Sequence, residues 1–336
     1  IDYLKSDYFQ IEREYLQENL IDNILSNINA HSLFGKFLSN IGSHKKAIDY
    51  FEELYKNCLA NNNNRLLRKY EIYIITGNLA DAYADNGQDD LALKYAFESY
   101  ERHKNFQNNY SVPIAVSLLR LSLIYLSTEQ VQLAFGYIQE AFQNLPINCN
   151  SQLLGALHLC ISRCYFKQMN YSDALTHCQQ SLEKFHETKN SIVLAETYYL
   201  MGNIFQNQTN NDMAIECYEK SLVYQKNIYS DSHPIRIRTC DSLGEVYFLT
   251  GKYQLALNHF LEVLKNKQSN QNDEDLCILH GSLACCYHIL NQYDFALEHA
   301  NLSLTISETS LNIKDIEVSY ILLGEIFDEQ RKFFRF

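Results

Sequence analysis

The sequence predicts an all-α solenoid, an array of about eight helix-turn-helix repeats of the kind that a period of about forty residues marks. Three observations lead there. Turn-forming residues are scarce, with 11 Gly and 3 Pro in 336 residues, too few for a hairpin-rich or glycine-looped architecture. Hydrophobic residues make up 46% of the chain, ample for a continuous core. Above all, one order of apolar, small and aromatic residues recurs along the whole length. Length alone would suggest two domains at about 150 residues each, but stacked units need no second globule because each packs mainly on its neighbours.

The recurrence is clearest around Gly244, where the chain reads Leu243-Gly244, Tyr247, Gly251, Tyr253, Ala256, Phe260. Aligned on the small residue, the units centre on Gly35, Ala80, Ser122, Ser162, Gly202, Gly244, Ala284 and Gly324, spaced 45, 42, 40, 40, 42, 40 and 40 apart. Three positions on stand Leu38, Tyr83, Tyr125, Tyr165, Phe205, Tyr247, Tyr287 and Phe327. Twelve positions on, seven units carry Ala47, Ala92, Ala134, Ala174, Ala214, Ala256 and Ala296. Each unit thus reads as two amphipathic helices, apolar at i, i+3, i+4 and i+7, joined by a short polar turn. The small residue lets the two backbones approach, and the neighbouring Tyr or Phe is expected to fill the space alongside. Gly42, Gly87 and Gly251 fall after the first helix, where a positive φ turns the chain back.

In chain order, residues 1–27 come first, with apolar positions at Leu4, Tyr8, Ile11, Tyr15, Leu16, Leu20, Ile24 and Leu25. This seam breaks at Glu18 and Asp22, which favours a capping or linker helix over a coiled coil. The repeats occupy 28–336, starting near 28, 73, 115, 155, 195, 237, 277 and 317. Ser232-His233-Pro234 supplies a helix-start signal before the sixth. The last unit stops at Phe336, where its alanine should fall, and residue 1 is Ile. Both ends read as cut, with more chain expected beyond them.

These residues resemble the tetratricopeptide repeat, whose pattern places a large residue, Leu, Gly or Ala, Tyr, Ala, a large residue and Ala at set positions. The resemblance covers about residues 28 to 336, and Pro146 stands where that family often ends a second helix. The usual Trp near the repeat start is replaced by His31, Thr76, Leu118, His158, Tyr198, Cys240, His280 and Tyr320. The period of 40 to 42 resembles the longer repeats of kinesin light chains and Pins-type spindle-orientation scaffolds. The resemblance implies a right-handed α-solenoid that acts as a non-catalytic scaffold or adaptor and holds a peptide segment of a partner in a concave groove. The alternative is a regulatory or targeting region of a larger enzyme whose catalytic domain lies outside this sequence.

Charge and composition narrow the partners. With 28 Lys+Arg against 40 Asp+Glu, the net charge is -12, which opposes the phosphate neutralisation that drives nucleic-acid binding. No stretch of 18 apolar residues and no signal peptide is present, so no membrane insertion is expected. Ten cysteines, two adjacent at Cys285-Cys286, read as scattered small hydrophobes in a reducing, cytoplasmic setting.

No cofactor or catalytic constellation is expected: there is no phosphate loop, no His-Glu-x-x-His pair and no nucleophile elbow. The richest metal-like group is His158, Cys160, Cys164, His177 and Cys178. His158 falls at the Trp-like slot and Cys178 where the sixth repeat has Phe260, so these read as packing residues and no metal site is expected.

In tetratricopeptide proteins the first helix of each pair lines the groove, using residues just before the small position and one or five after it. Carried over, this implies Lys36, Asn40, Asn78, Asp81, Asp85, Arg120, Arg163, Lys167, Asn203, Asn207, Asp241 and Glu245. Arg120, Arg163 and Lys167 would form a cationic patch suited to a carboxylate, with Asn203 and Asn207 pairing with an extended backbone. An acidic segment is therefore the expected partner. Only Asn78 matches the family's chaperone clamp, so a complete clamp is not expected. An open last repeat exposing Leu323, Phe327, Phe333, Phe334 and Phe336 would also permit self-association.

Overall fold

The computed structural model describes residues 33–39, 43–60, 65–104, 111–145, 149, 151–188, 191–226, 228–266, 273–310 and 312–333. Among them are fifteen helices and no strand. They are α1 (33–39), α2 (His44–Ala60), α3 (Arg65–Asp85), α4 (Asp89–Lys104), α5 (Ser111–Ser127), α6 (Val131–Gln143), α7 (Ser151–Lys167), α8 (Tyr171–Thr188), α9 (Ser191–Asn207), α10 (Asn211–Lys226), α11 (Pro234–Leu249), α12 (Tyr253–Asn266), α13 (Asp273–Ile289), α14 (Tyr293–Ser310) and α15 (Ile313–Phe333). Every odd-numbered helix carries a small residue of the repeat, and every even-numbered one its alanine. Those seven alanines are all fully buried. The capping helix expected over 1–27 and the start of the first repeat lie outside the described residues, as do Asn40 and Gly42.

The turn within each repeat is one device used repeatedly. Gly87 and Gly251 adopt φ of 72° and 75°, and the same position is taken by Glu129, Met169, Thr209 and Asn291 at 58° to 60°. Glycine was therefore a partial guide, because four turns enter the left-handed region without it. Each is held by the two hydrogen bonds of a Schellman motif. In the fifth repeat Asn210 N donates to Phe205 O and Thr209 N to Gln206 O, both at 2.9 Å; in the sixth Lys252 N donates to Tyr247 O and Gly251 N to Phe248 O. Thr209 is the most strained of the six, being β-branched.

Packing within a repeat follows a size exchange that the sequence reading assigned to the wrong partner. The residue facing the small position stands sixteen places later, on the second helix. Where the first is glycine, the second is a large ring: a Cβ on Gly202 would lie 2.5 Å from Tyr218 Cε1, and one on Gly244 would lie 2.7 Å from Phe260 Cε1. Where the first is Ala or Ser, the second shrinks to Ala96, Ile138, Cys178 or Ala300, all buried. The Tyr three places after the small residue does something else. It stacks on the ring fifteen places after that residue, in Tyr83–Tyr95, Tyr125–Tyr137, Tyr165–His177, Tyr247–His259 and Tyr287–His299, with centroids 5.4 to 5.6 Å apart.

Buried hydroxyls add a second recurring bond. Ser99, Ser221 and Ser303 donate to the carbonyls of Tyr73, Ala195 and Cys277 at 3.5, 2.7 and 3.0 Å, joining the second helix to the start of the first.

The chain divides into two compact units, 1–193 and 194–336. In the first, consecutive helices pack on one another, and the odd-numbered α3, α5 and α7 also touch in sequence. In the second, α13 and α15 touch in the same way. No helix among the described residues is long and apolar enough to cross a membrane.

Candidate functional site

In the first unit the expected groove residues are largely committed to holding repeats together. Asn78 and Asp81 are buried, and Arg120 is only 2% exposed. Arg120 Nε lies 3.0 Å from Asp81 Oδ1, and its guanidinium lies flat on α3, where a Cβ on Gly77 would come within 2.8 Å of it. Arg120 is therefore not an open groove cation: it links the second repeat to the third. The expected patch of three accessible cations reduces to Arg163, half-buried, and Lys167, exposed and 3.2 Å from Glu129 of the preceding repeat. Lys36 and Asp85 are half-buried.

Beside Arg120, burial and its positive charge depress the pKa of His103 to about 3. His103 Nδ1 faces Ser117 Oγ at 3.0 Å and its ring lies against Tyr73. A neutral imidazole at this spot spares the buried Arg120–Asp81 pair a second cation.

In the second unit Asn203 accepts from Tyr218 Oη at 2.7 Å, and Asn207 donates to the Asn203 carbonyl. Each amide thus has one of its two ends engaged locally. Asp241 is half-buried and Glu245 exposed. Packed walls around the Glu245 carboxylate raise its pKa, while a hydrogen bond from Gln206 across the repeat boundary, at 3.4 Å, pulls the other way.

A cleft of about 600 Å³ opens among α11, α13 and α15, lined also by Phe260 and Ser303 from the second helices. Its apolar lining includes Leu249, Ile278, Val318 and Ile321, between 57 and 64% exposed. Small residues Gly281 and Ser282 keep the middle helix low, and Glu245, Asp315 and Glu325 supply the charge. Only Glu245 of this set belongs to the residues expected from sequence. The others are mostly apolar or stand on the last two repeats, outside the polar first-helix positions that mark a groove in sequence. Leu249 occupies the position five after the small residue, and Ile278 and Val318 share the position six before it. Their signal was an apolar residue on a face that an amphipathic pattern leaves to water.

Among the described residues, no three members of the metal-like cluster bring ligand atoms within 4.8 Å of one another. Cys160, Cys164 and Cys178 are fully buried, and Ser162 Oγ lies 2.9 Å from Cys178 Sγ. His158 and His177 meet at 3.1 Å between Nδ1 atoms, and the same two repeat positions bring His280 and His299 to 2.8 Å. In the sixth repeat they are Cys240 and His259, which with Glu262 bring ligand atoms within 4.8 Å of one another, the one such trio among the described residues. Arg236 sits 3.5 Å from Glu262, and burial pushes the Cys240 thiol up to about 12. A cation there would have to displace a guanidinium and ionise a reluctant thiol.

Residues 193–269 match the tetratricopeptide repeat family model. The chain is similar to response regulator aspartate phosphatase E of Bacillus subtilis (strain 168), 22% identical over 244 residues, covering 72% of this chain and 62% of the relative. It therefore spans less than two thirds of that relative's length. Among solved structures it is similar to a signal transduction ATPase with numerous domains and a tetratricopeptide repeat sensor from Pyrococcus horikoshii, with TM-score 0.65, 13% identity and coverage of 97% of this chain and 50% of that one. It is also similar to aspartyl phosphate phosphatase F from Bacillus subtilis, with TM-score 0.57, 18% identity and coverage of 90% and 75%.

Proposed function

From a chain built of tetratricopeptide repeats, we propose a non-catalytic scaffold or adaptor that holds a segment of a partner protein against the first helices of its repeats. The observation that carries this reading is the cleft over α11, α13 and α15, where Leu249, Ile278, Val318 and Ile321, each more than half exposed, line one concavity. Isolated exposed hydrophobes need no explanation, but several converging on one concavity favour a binding role. Arg163 and Lys167, the latter already 3.2 Å from Glu129, are a second proposed contact set in the first unit, for an acidic stretch of the partner. The setting proposed is the cytoplasm, where ten free cysteines would stay reduced. Self-association through α15 is a lesser part of the reading. Leu323, expected to be exposed there, is buried, whereas Phe327 is 55% exposed; the side chains of Phe333, Phe334 and Phe336 lie outside the described residues.

Affinity capture with the full chain tests this, comparing wild type with Ile278→Glu/Ile321→Glu. Both sites are exposed, so the variant should fold, and loss of specific partners is expected. Undiminished capture by the folded variant would refute the groove assignment.

A second reading is favoured by coverage. The sequence spans 62% of the phosphatase relative and 50% of the ATPase that carries a repeat sensor, so the array could serve as the docking half of a larger enzyme. The flanking coding sequence decides: a catalytic domain there supports it, and stop and start codons at both boundaries refute it.

A further inference from the structure

We propose that the cleft of residues 194–336 receives the apolar face of an amphipathic helix whose flanks carry Lys or Arg. This rests on the scaffold reading above and names the chemistry of its partner.

The cleft floor sets the apolar part. Val318 and Ile321 stand three apart on α15 and so share one face, opposite Ile278 on α13 and Leu249 on α11. Such spaced hydrophobes match the i, i+3, i+4 and i+7 anchors of a docked helix. The rim sets the charge. Glu245 and Glu325 occupy the same repeat position, and Asp315 joins them. Among the described residues neither Glu245 nor Glu325 forms an ion pair with a cation; Glu245 has a weak bond from Gln206 and Asp315 one from the Asn312 amide at 2.8 Å. Carboxylates lodged beside apolar walls without a counter-charge are complementary to a cation arriving with the partner.

The partner's backbone state is argued from the shortage of donors in the lining. An extended segment needs donors and acceptors for its own N–H and C=O groups. The positions one and five after the small residue hold Glu245 and Leu249 on α11, Cys285 and Ile289 on α13, and Glu325 and Glu329 on α15. The carboxylates can accept from a backbone N–H and the Ser282 hydroxyl can pair once, but no amide stands among these positions to offer an extended chain a donor and an acceptor together. A helix brings its backbone hydrogen bonds with it and asks the cleft only for apolar contact and charge.

The experiment uses the full chain and four labelled synthetic peptides read by fluorescence anisotropy. The first is a helix with a Leu stripe and Lys flanks, the second the same stripe with Glu flanks, the third the Lys helix with Leu replaced by Ser, and the fourth the first interrupted by Pro. The Lys-flanked helix should bind about tenfold tighter or more than the Glu-flanked one, with the gap narrowing as salt rises. Glu245→Lys/Glu325→Lys should invert that order, and Ile278→Glu/Ile321→Glu should lose both, with circular dichroism confirming that each variant folds. Equal or tighter binding of the Glu-flanked helix overturns the proposed charge, and leaves the scaffold reading intact if Ile278→Glu/Ile321→Glu still abolishes binding. Binding untouched by that variant overturns the groove and the scaffold reading together. Ser-substituted or Pro-interrupted peptides binding as tightly as the first, or no peptide binding at all, also overturn the proposal.

Discussion

Gly244→Ala separates two opposing effects. In a helix interior alanine is favoured over glycine by about 1 kcal/mol. Here, however, the new methyl would lie 2.7 Å from Phe260 Cε1 and 3.0 Å from Cδ1. Phe260 is 2% exposed and cannot swing away into solvent, so the overpacking cost of about 1–3 kcal/mol applies. The single variant should therefore lose up to about 2 kcal/mol net. Phe260→Ala removes a buried ring and should cost about 3–5 kcal/mol. With the ring gone the methyl has room, and Gly244→Ala should become stabilising by about 1 kcal/mol. The difference is a coupling of about 1–3 kcal/mol between the two positions. Gly136→Ala on α6 is the control: nothing lies within 4 Å of its Cβ, so it should simply gain about 1 kcal/mol. Urea unfolding followed by far-ultraviolet circular dichroism measures all four. A repeat array can unfold in stages, so the chain's transition must first be checked by two probes. Additive effects of Gly244→Ala and Phe260→Ala would refute the size exchange.

Three further outcomes follow. Thr209→Gly should raise stability by about 1 kcal/mol, because a β-branched residue held at φ 58° loses its left-handed strain; an unchanged or lowered urea midpoint would contradict this. Arg120→Ala should cost about 3–5 kcal/mol by leaving Asp81 buried without its guanidinium, and a loss below about 1 kcal/mol would show the pair to be incidental. Burial lowers the pKa values of His103, His158, His177 and His299, so below about 6.5 the unfolded chain binds protons that the folded chain refuses. Stability should hold above neutral pH and fall from there downward, through about 4 for His158 and about 3 for His103. His103→Gln should flatten the urea midpoint between pH 7 and 5, and an equal slope in wild type and variant would refute its share.

Repeat spacing made the fold legible because each small residue, Tyr and Ala does the same packing task in every unit. The helix pairs around Gly202 and Gly244 could be placed from those residues alone. The left-handed turns at Met169 and Thr209 could not, since only glycine announces a positive φ and the Schellman bonds are backbone groups. Site residues were harder. Arg120 looked like an open cation because a charged residue on a first helix is usually solvated, and only the missing Cβ of Gly77 and the carboxylate of Asp81, thirty-nine residues away, allow it to be buried. Ile278, Val318 and Ile321 were hidden for the opposite reason. An apolar residue in a helix reads as core, and which of them stay open depends on packing between repeats.

Photo-crosslinking from inside the cleft tests the central claim most directly. The full chain would carry p-benzoylphenylalanine in place of Ile321, or in place of Val223, which is 66% exposed on α10 and does not line the cleft. Each would be irradiated with the captured partner and mapped by mass spectrometry. A docking role predicts crosslinks from position 321 to one apolar, Lys- or Arg-flanked stretch of the partner and none from position 223. Equal labelling from both positions, or labelling from 223 alone, would contradict it.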